Sequence, residues 1–242
     1  MRTTTGPSGG RFYVVDEATG TVYPSVTTVT GAMLSKEGLE EWRRAVGEEK
    51  AAQITQAAAD RGTFMHAMHE RTLDLRFVKG QRDGVLKEAY PLALADCKSL
   101  SEEAIERGRN LFFRFYATDF YERIASVEMQ ETPVWSKLGG GYAGRLDLMV
   151  RDHDGKRVLI DFKSSSKPKK KEWIASYELQ AAAYSAAFRE RYGEFPDRAE
   201  IWIACESGEV QEFPLNRSEL IERLRQFHAM VTEYHKRYVT KK

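Results

Sequence analysis

Apolar and polar positions along the chain fall into two kinds of period, and these divide it into a helix-rich first half and a strand-rich second half. Phe12–Val15 and Thr21–Tyr23 are short apolar runs across a polar Asp16–Gly20 turn, which predicts a hairpin. Pro24 stops it, and Ser25 is the predicted N-cap of a helix over Val26–Leu34. Ser35 is predicted to cap a second helix bearing Leu39 and Trp42, with Trp42 in the core. Residues 47–75 form a long Ala-rich helical pattern interrupted at Arg61-Gly62, residues 76–84 a loop, and residues 85–97 a shorter helix interrupted at Pro91. Ser99-Leu-Ser-Glu102 has the spacing of a capping box for a helix reaching about Ile124. Its aromatic cluster (Phe112, Phe113, Phe115, Tyr116, Phe120, Tyr121) exceeds one helical face, so most of it is expected between helices, with one or two rings free to line a single-strand channel.

From Val127 the period changes. Val127–Ser136 reads as a strand leading into the Lys137–Gly141 turn; Glu131 on it is open between a surface role and a role at a metal site. Asp147 sits among Leu146, Leu148, Met149 and Val150, in a run that ends at an Asp-His-Asp-Gly turn. The return run Val158–Ile160 leads into Asp161, Phe162 and Lys163. Strand side chains alternate, so Asp161 and Lys163 share a face, and a hairpin partner brings Asp147 beside them. Two carboxylates and an ammonium at the end of an apolar sheet are costly to bury unless paired or bound to metal. Gln180 and Tyr184 then follow as i,i+4 neighbours on a helix. Glu200–Cys205 and Glu209–Phe213 predict a last hairpin, and Asn216-x-x-Glu219 caps a final helix with a basic end at Lys236, Arg237, Lys241 and Lys242.

Composition narrows this reading only a little. The 242 residues suffice for one well-cored domain, and 42% hydrophobic with 30% charged residues is ordinary for a globular chain. A formal net charge of +1 gives no global argument for nucleic-acid binding, so any such contact must come from local clustering. The cluster in question is Lys167, Lys169, Lys170 and Lys171 around Pro168, directly after the Asp-x-Lys strand, where contact with a phosphate backbone is expected. No apolar run approaches the ~18 residues of a membrane span, and MRTTTGPSGG lacks the apolar stretch of a signal peptide, so a cytoplasmic protein is expected.

Taken together, Gly144-Arg-Leu-Asp147, Asp161-Phe-Lys163 and Gln180-Ala-Ala-Ala-Tyr184 resemble the core of the PD-(D/E)XK nucleases in their RecB-type exonuclease branch, which includes phage and mitochondrial exonucleases. The upstream Gly62-x-x-x-His66-x-x-x-Glu70 is similar to that branch's helical motif, and the resemblance covers about residues 20–205. It implies an α/β fold with a central mixed sheet flanked by helices and an N-terminal helical region. The expected layout is a flexible lead-in over 1–10, then a single nuclease domain over 11–242. Within it the helical region spans about 25–126, the catalytic core about 127–215 and a C-terminal helix about 217–238.

The resemblance also implies roles: His66, Asp147, Asp161 and the Phe162 carbonyl as ligands of one or two magnesium or manganese ions, Lys163 positioning the attacking water, and Gln180 and Tyr184 holding phosphate oxygens or bracing the strand. His69 matches no position of the pattern. An iron–sulfur cluster, carried by some members on four cysteines, is not expected, because the chain has two, Cys97 and Cys205. The implied activity is hydrolysis of phosphodiester bonds from free DNA ends, on single-stranded or end-processed DNA, by a bacterial or phage-encoded protein with replication or recombination proteins as candidate partners. A sequence-specific endonuclease and a non-catalytic nucleic-acid binder on the same core are the alternatives. The full Asp147, Asp161 and Lys163 set argues against the binder, and the Gly62–Glu70 helix with Gln180 and Tyr184 argues against the endonuclease.

Overall fold

A computed structural model describes residues 1–7, 9–35 and 37–240. Its centre is a five-stranded sheet formed by β4 (Ile124–Ser136), β5 (Tyr142–Asp152), β6 (Arg157–Ser165), β7 (Arg198–Cys205) and β8 (Val210–Asn216), in that order. All neighbours are antiparallel except β6 and β7, which run parallel because helix α6 (Ala175–Tyr192) carries the chain between them. The sheet is therefore mixed, as expected.

Both faces are covered, and the alternation of β6 shows how. Val158, Ile160 and Phe162 join a core with α3 (Glu48–Leu73), α4 (Val85–Asp96) and α5 (Glu102–Tyr116). Leu159, between them in sequence, packs into the core formed by α1 (Val26–Met33), α6 and α7 (Arg217–Tyr234). Asp161 and Lys163 lie at positions of the same parity as Leu159, on the α6 side.

A smaller antiparallel sheet, β1 (Thr3–Thr5), β2 (Arg11–Asp16) and β3 (Thr21–Pro24), precedes α1. Within it the β-branched Thr3–Thr5 run pairs with Arg11–Tyr13. Ser25 caps α1, accepting from the Thr28 N–H at 2.9 Å. Asn216 and Glu219 complete a capping box on α7. Lys241 and Lys242 of the basic tail lie outside the described residues.

Several boundaries differ from the sequence expectation. The cap of α5 is Ser101, which accepts from Ala104 N–H at 3.2 Å, and not Ser99. That helix stops at Tyr116, because Thr118 turns its hydroxyl back to the Phe115 carbonyl and accepts from Phe120 N–H. Helix α2 (Glu37–Val46) buries none of its residues, so Trp42 is half-buried and not core. Pro91 lies inside a continuous α4, and α3 runs unbroken through Arg61-Gly62. The tight backbone approach between α3 and α5 is made at a glycine of α5. A Cβ at Gly108 of α5 would sit 2.6 Å from the Arg61 carbonyl, whereas one at Gly62 would meet only the Ser164 hydroxyl at 3.5 Å.

Candidate active site

The site lies where α3 crosses the ends of β4, β5 and β6. Helix α3 supplies His66, β4 supplies Glu131, β5 supplies Arg145 and Asp147, and β6 supplies Asp161, Phe162 and Lys163. A cleft of about 590 Å³ opens above them, walled by Gly62, Thr63, His66, Glu70, Asp96, Glu131, Arg145, Lys163 and Ser164, among others. Small residues on this stretch of α3 (Ala58, Ala59, Gly62, Thr63) keep the cleft open.

His66 Nδ1 is 3.3 Å from Glu131 Oε1 and 3.9 Å from Asp147 Oδ2. His66, Glu131 and Asp147 each offer one ligand atom, and all three atoms lie within 4.8 Å of one another, a spacing that ligands of one small divalent ion would have. Glu131, left open by its sequence, faces the site. Its backbone is left-handed, at φ 44°, a conformation that costs a residue with a Cβ of the order of 1–2 kcal/mol. The register with β5 passes from Gln130↔Leu148 to Thr132↔Leu146, which places Glu131 opposite the Asp147 segment.

Asp147 is held from behind: the Phe162 N–H donates to its Oδ2 at 2.8 Å. Burial pushes its carboxyl up to about 6, with the nearby Asp161 adding to the rise and His66 and Lys163 opposing it. Asp161 is 1% exposed, and Lys163 Nζ lies 2.5 Å from its Oδ2. Its other oxygen, Oδ1, is buried with no hydrogen-bond partner. Burial alone would lower the Lys163 amine, but Asp161 and Asp147 outweigh it, and the group is raised. His66 behaves likewise: burial works against its charge, Asp147 and Glu131 outweigh it, and the imidazole is raised.

Two of the four ligands expected from the sequence, His66 and Asp147, therefore stand together, and Glu131 joins them. The compact cluster is His66, Asp147 and Glu131; Asp161 turns to Lys163, and its bare Oδ1 is the remaining donor. Phe162 lies between them in the chain, its ring buried against His69, Phe115 and Phe120. A clustered imidazole and carboxylates, with one buried carboxylate oxygen unsatisfied, is a donor set that fits a divalent metal ion.

Gln180 and Tyr184 are joined, Gln180 Nε2 donating to Tyr184 Oη at 3.1 Å. Tyr184 is 4% exposed and fills the space under Gly144, where a Cβ would come within 2.4 Å of its ring. That contact is the physical reason for a glycine three residues before Asp147. The lysine loop runs along the surface: Lys167 and Lys170 are exposed, Lys169 is tied through its backbone to Gln211, and Lys171 Nζ is 3.9 Å from Glu219. Two neighbours had no signal of their own in the sequence. Trp173, 58% exposed, has Lys170 Nζ over its ring at 5.3 Å, and Tyr177 has Lys163 Nζ over its ring at the same distance. An aromatic beside a lysine run is the pattern that would have found the first.

No curated protein sequence matches this chain. Among solved structures, a protein named only as a candidate exonuclease, from Eubacterium rectale, is 14% identical with a TM-score of 0.50. The match covers 76% of this chain and 66% of that one, so the chain spans just under two thirds of that relative's length. At that identity the likeness speaks to fold alone. SSO0001 is 13% identical over 69% of this chain and 74% of its own, with a TM-score of 0.34. No helix among the described residues is long and apolar enough to cross a membrane. The family model of the PD-(D/E)XK nuclease superfamily matches residues 13–239, through the whole five-stranded sheet and every site element above, and the chain belongs to that superfamily.

Proposed function

We propose that the protein is a metal-dependent DNA exonuclease that hydrolyses phosphodiester bonds from free ends, in replication, recombination or repair. The observation that carries this reading is the meeting of His66, Glu131 and Asp147 beside the buried Asp161–Lys163 pair at the base of an open cleft. His66, Glu131, Asp147, Asp161 Oδ1 and the Phe162 carbonyl would hold the ion or ions. A divalent cation there supplies Lewis acidity and offsets charge developing on the phosphate.

The remaining work falls to side chains. Lys163, fixed by Asp161, orients the attacking water. Tyr184 and Gln180 brace β5 against α6, which keeps Asp147 at its distance from His66. Lys167, Lys169, Lys170 and Lys171 contact the strand's phosphates, and the exposed face of Trp173 offers a base a stacking surface. A preference for single-stranded or frayed ends follows from such a platform, because only an unpaired base presents its face. The name of the Eubacterium rectale relative agrees with attack from ends.

The test is degradation of end-labelled linear DNA against covalently closed circles, with magnesium or with a chelator. Linear DNA should be degraded only with metal, and circles should survive. Asp161→Ala and Lys163→Ala should fold by circular dichroism and lose at least about a thousandfold in cleavage. Cutting of a closed single-stranded circle at the linear rate would establish the endonuclease alternative, and substantial activity in Lys163→Ala would remove the assignment.

A further inference from the structure

We infer that Arg145 is a substrate-contacting residue: with its Nε anchored on Glu131, its two Nη groups grip a phosphate of the DNA strand in the cleft. The inference rests on the nuclease reading above and adds to it a cation within the cleft that grips a phosphate.

The argument begins with charge. The cleft wall carries Glu70, Asp96 and Glu131, with Asp147 beneath, and a phosphate entering it meets a predominantly negative surface. Three cationic or titratable basic side chains line it: His66, Lys163 and Arg145. His66 points its Nδ1 at Glu131 and Asp147, and Lys163 is committed to Asp161 at 2.5 Å with its side chain 17% exposed. That leaves Arg145, whose side chain is 55% exposed.

The way Arg145 is held fits the role. Its Nε donates to the Glu131 carbonyl at 2.7 Å and lies 3.0 Å from Glu131 Oε2. Guanidinium has five N–H donors, and this anchor uses the one on Nε. Among the described residues no hydrogen bond from either Nη group is present. Arg145 is two residues from Asp147 on β5, so it leaves the strand on the same face. The left-handed backbone of Glu131 is part of the same device, because that residue joins Arg145 through its carbonyl and His66 through its carboxylate. An exposed ion pair alone contributes too little to account for a strained backbone beneath it. The planar fork left over is the geometry that binds phosphate bidentately.

The rival account makes Arg145 a clamp that only holds Glu131 for metal, and the two make opposite predictions. Binding of a fluorescent single-stranded oligonucleotide is measured by anisotropy in calcium across a salt series, and the manganese concentration for half-maximal cleavage is measured separately. For Arg145→Ala the dissociation constant should rise about tenfold to a hundredfold. The log–log salt slope should fall by about 0.7, one phosphate contact on a single strand. Half-saturating manganese should stay within about twofold, and Arg145→Lys should recover part of the affinity with the slope restored. Unchanged DNA affinity with weakened manganese, or weakened DNA binding with an unchanged slope, overturns the inference in favour of the clamp. If wild type cuts linear DNA while Arg145→Ala binds like wild type, only Arg145 is misassigned; if wild type neither binds nor cuts DNA, the nuclease reading falls and Arg145 with it.

Discussion

His66 and His69 stand three residues apart on α3 and live in opposite surroundings. His66 is on the face that lines the cleft, among carboxylates that raise its pKa. His69 is 1% exposed, stacked at 4.0 Å on the Phe162 ring and enclosed by Phe112, Phe115 and Phe120. Its Nδ1 is 2.8 Å from the Tyr121 hydroxyl, and its Nε2 is buried without a partner. Burial, and then the neighbouring His66 charge, lower its pKa well below the usual value. The same contrast runs along the helix: Gly62 and Glu70 border the cleft, while Arg61, Phe64, Met65 and Met68 are buried. One side of α3 is kept open for chemistry and the other is packed to hold it there. Phe162 connects them, since its ring rests on His69 while its N–H fixes Asp147.

The comparison is broken most severely at His66. If it is a ligand, His66→Ala should cut cleavage in magnesium by about a hundredfold or more, since even partners outside the ligand set cost 10–100-fold. Part of that loss should return at high manganese, which binds such sites more tightly, whereas Asp161→Ala should not recover. A metal titration of cleavage rate decides it, and wild-type behaviour of His66→Ala in magnesium would make His66 an ordinary helical histidine.

His69→Ala should instead act on stability, by about 2–4 kcal/mol in denaturant unfolding, because it leaves a cavity among rings and strips the Tyr121 hydroxyl of its partner. The two histidines also differ in the sign of their pH dependence. With its folded pKa raised, His66 contributes stability that is full below the unfolded value near 6.5 and is lost as pH rises through the folded one. With its folded pKa lowered, His69 stays neutral in the fold while unfolded chains take up a proton below about pH 6.5, so stability drops as pH falls. The unfolding deficit of His69→Phe relative to wild type, measured without metal, should therefore shrink by up to about 1.4 kcal/mol per pH unit below 6.5. A pH-independent deficit would show that His69 titrates normally.

The glycines sharpen the contrast at smaller scale. Gly108→Ala forces a methyl against the Arg61 carbonyl and should cost about 1–3 kcal/mol. Gly62→Ala meets only a hydroxyl at contact distance and should stabilise the helix by up to about 1 kcal/mol. Thermal unfolding of both variants checks the order; an equal effect would mean that the two faces are packed alike.

What was legible in the chain itself was whatever depends on near neighbours. The β5–β6 hairpin, the shared face of Asp161 and Lys163, the Ser25 cap and the Asn216–Glu219 capping box all follow from periods of two or four residues and from side chains reaching their own backbone. Three motif segments and a helical histidine in order carried the family. Tertiary structure alone decided the rest, because the deciding contacts join distant positions. Glu131 meets His66 across 65 residues, and only the β4–β5 register with its left-handed kink aims it there. Asp161 turned from the ligand cluster to Lys163 because a fully buried carboxylate needs the nearest cation. Gly108, and not Gly62, took the close backbone contact because α5 crosses α3 at Arg61. His69, which matched no position of the motif that picked out His66, was given its role only by the side of α3 that meets the aromatic rings and not the cleft.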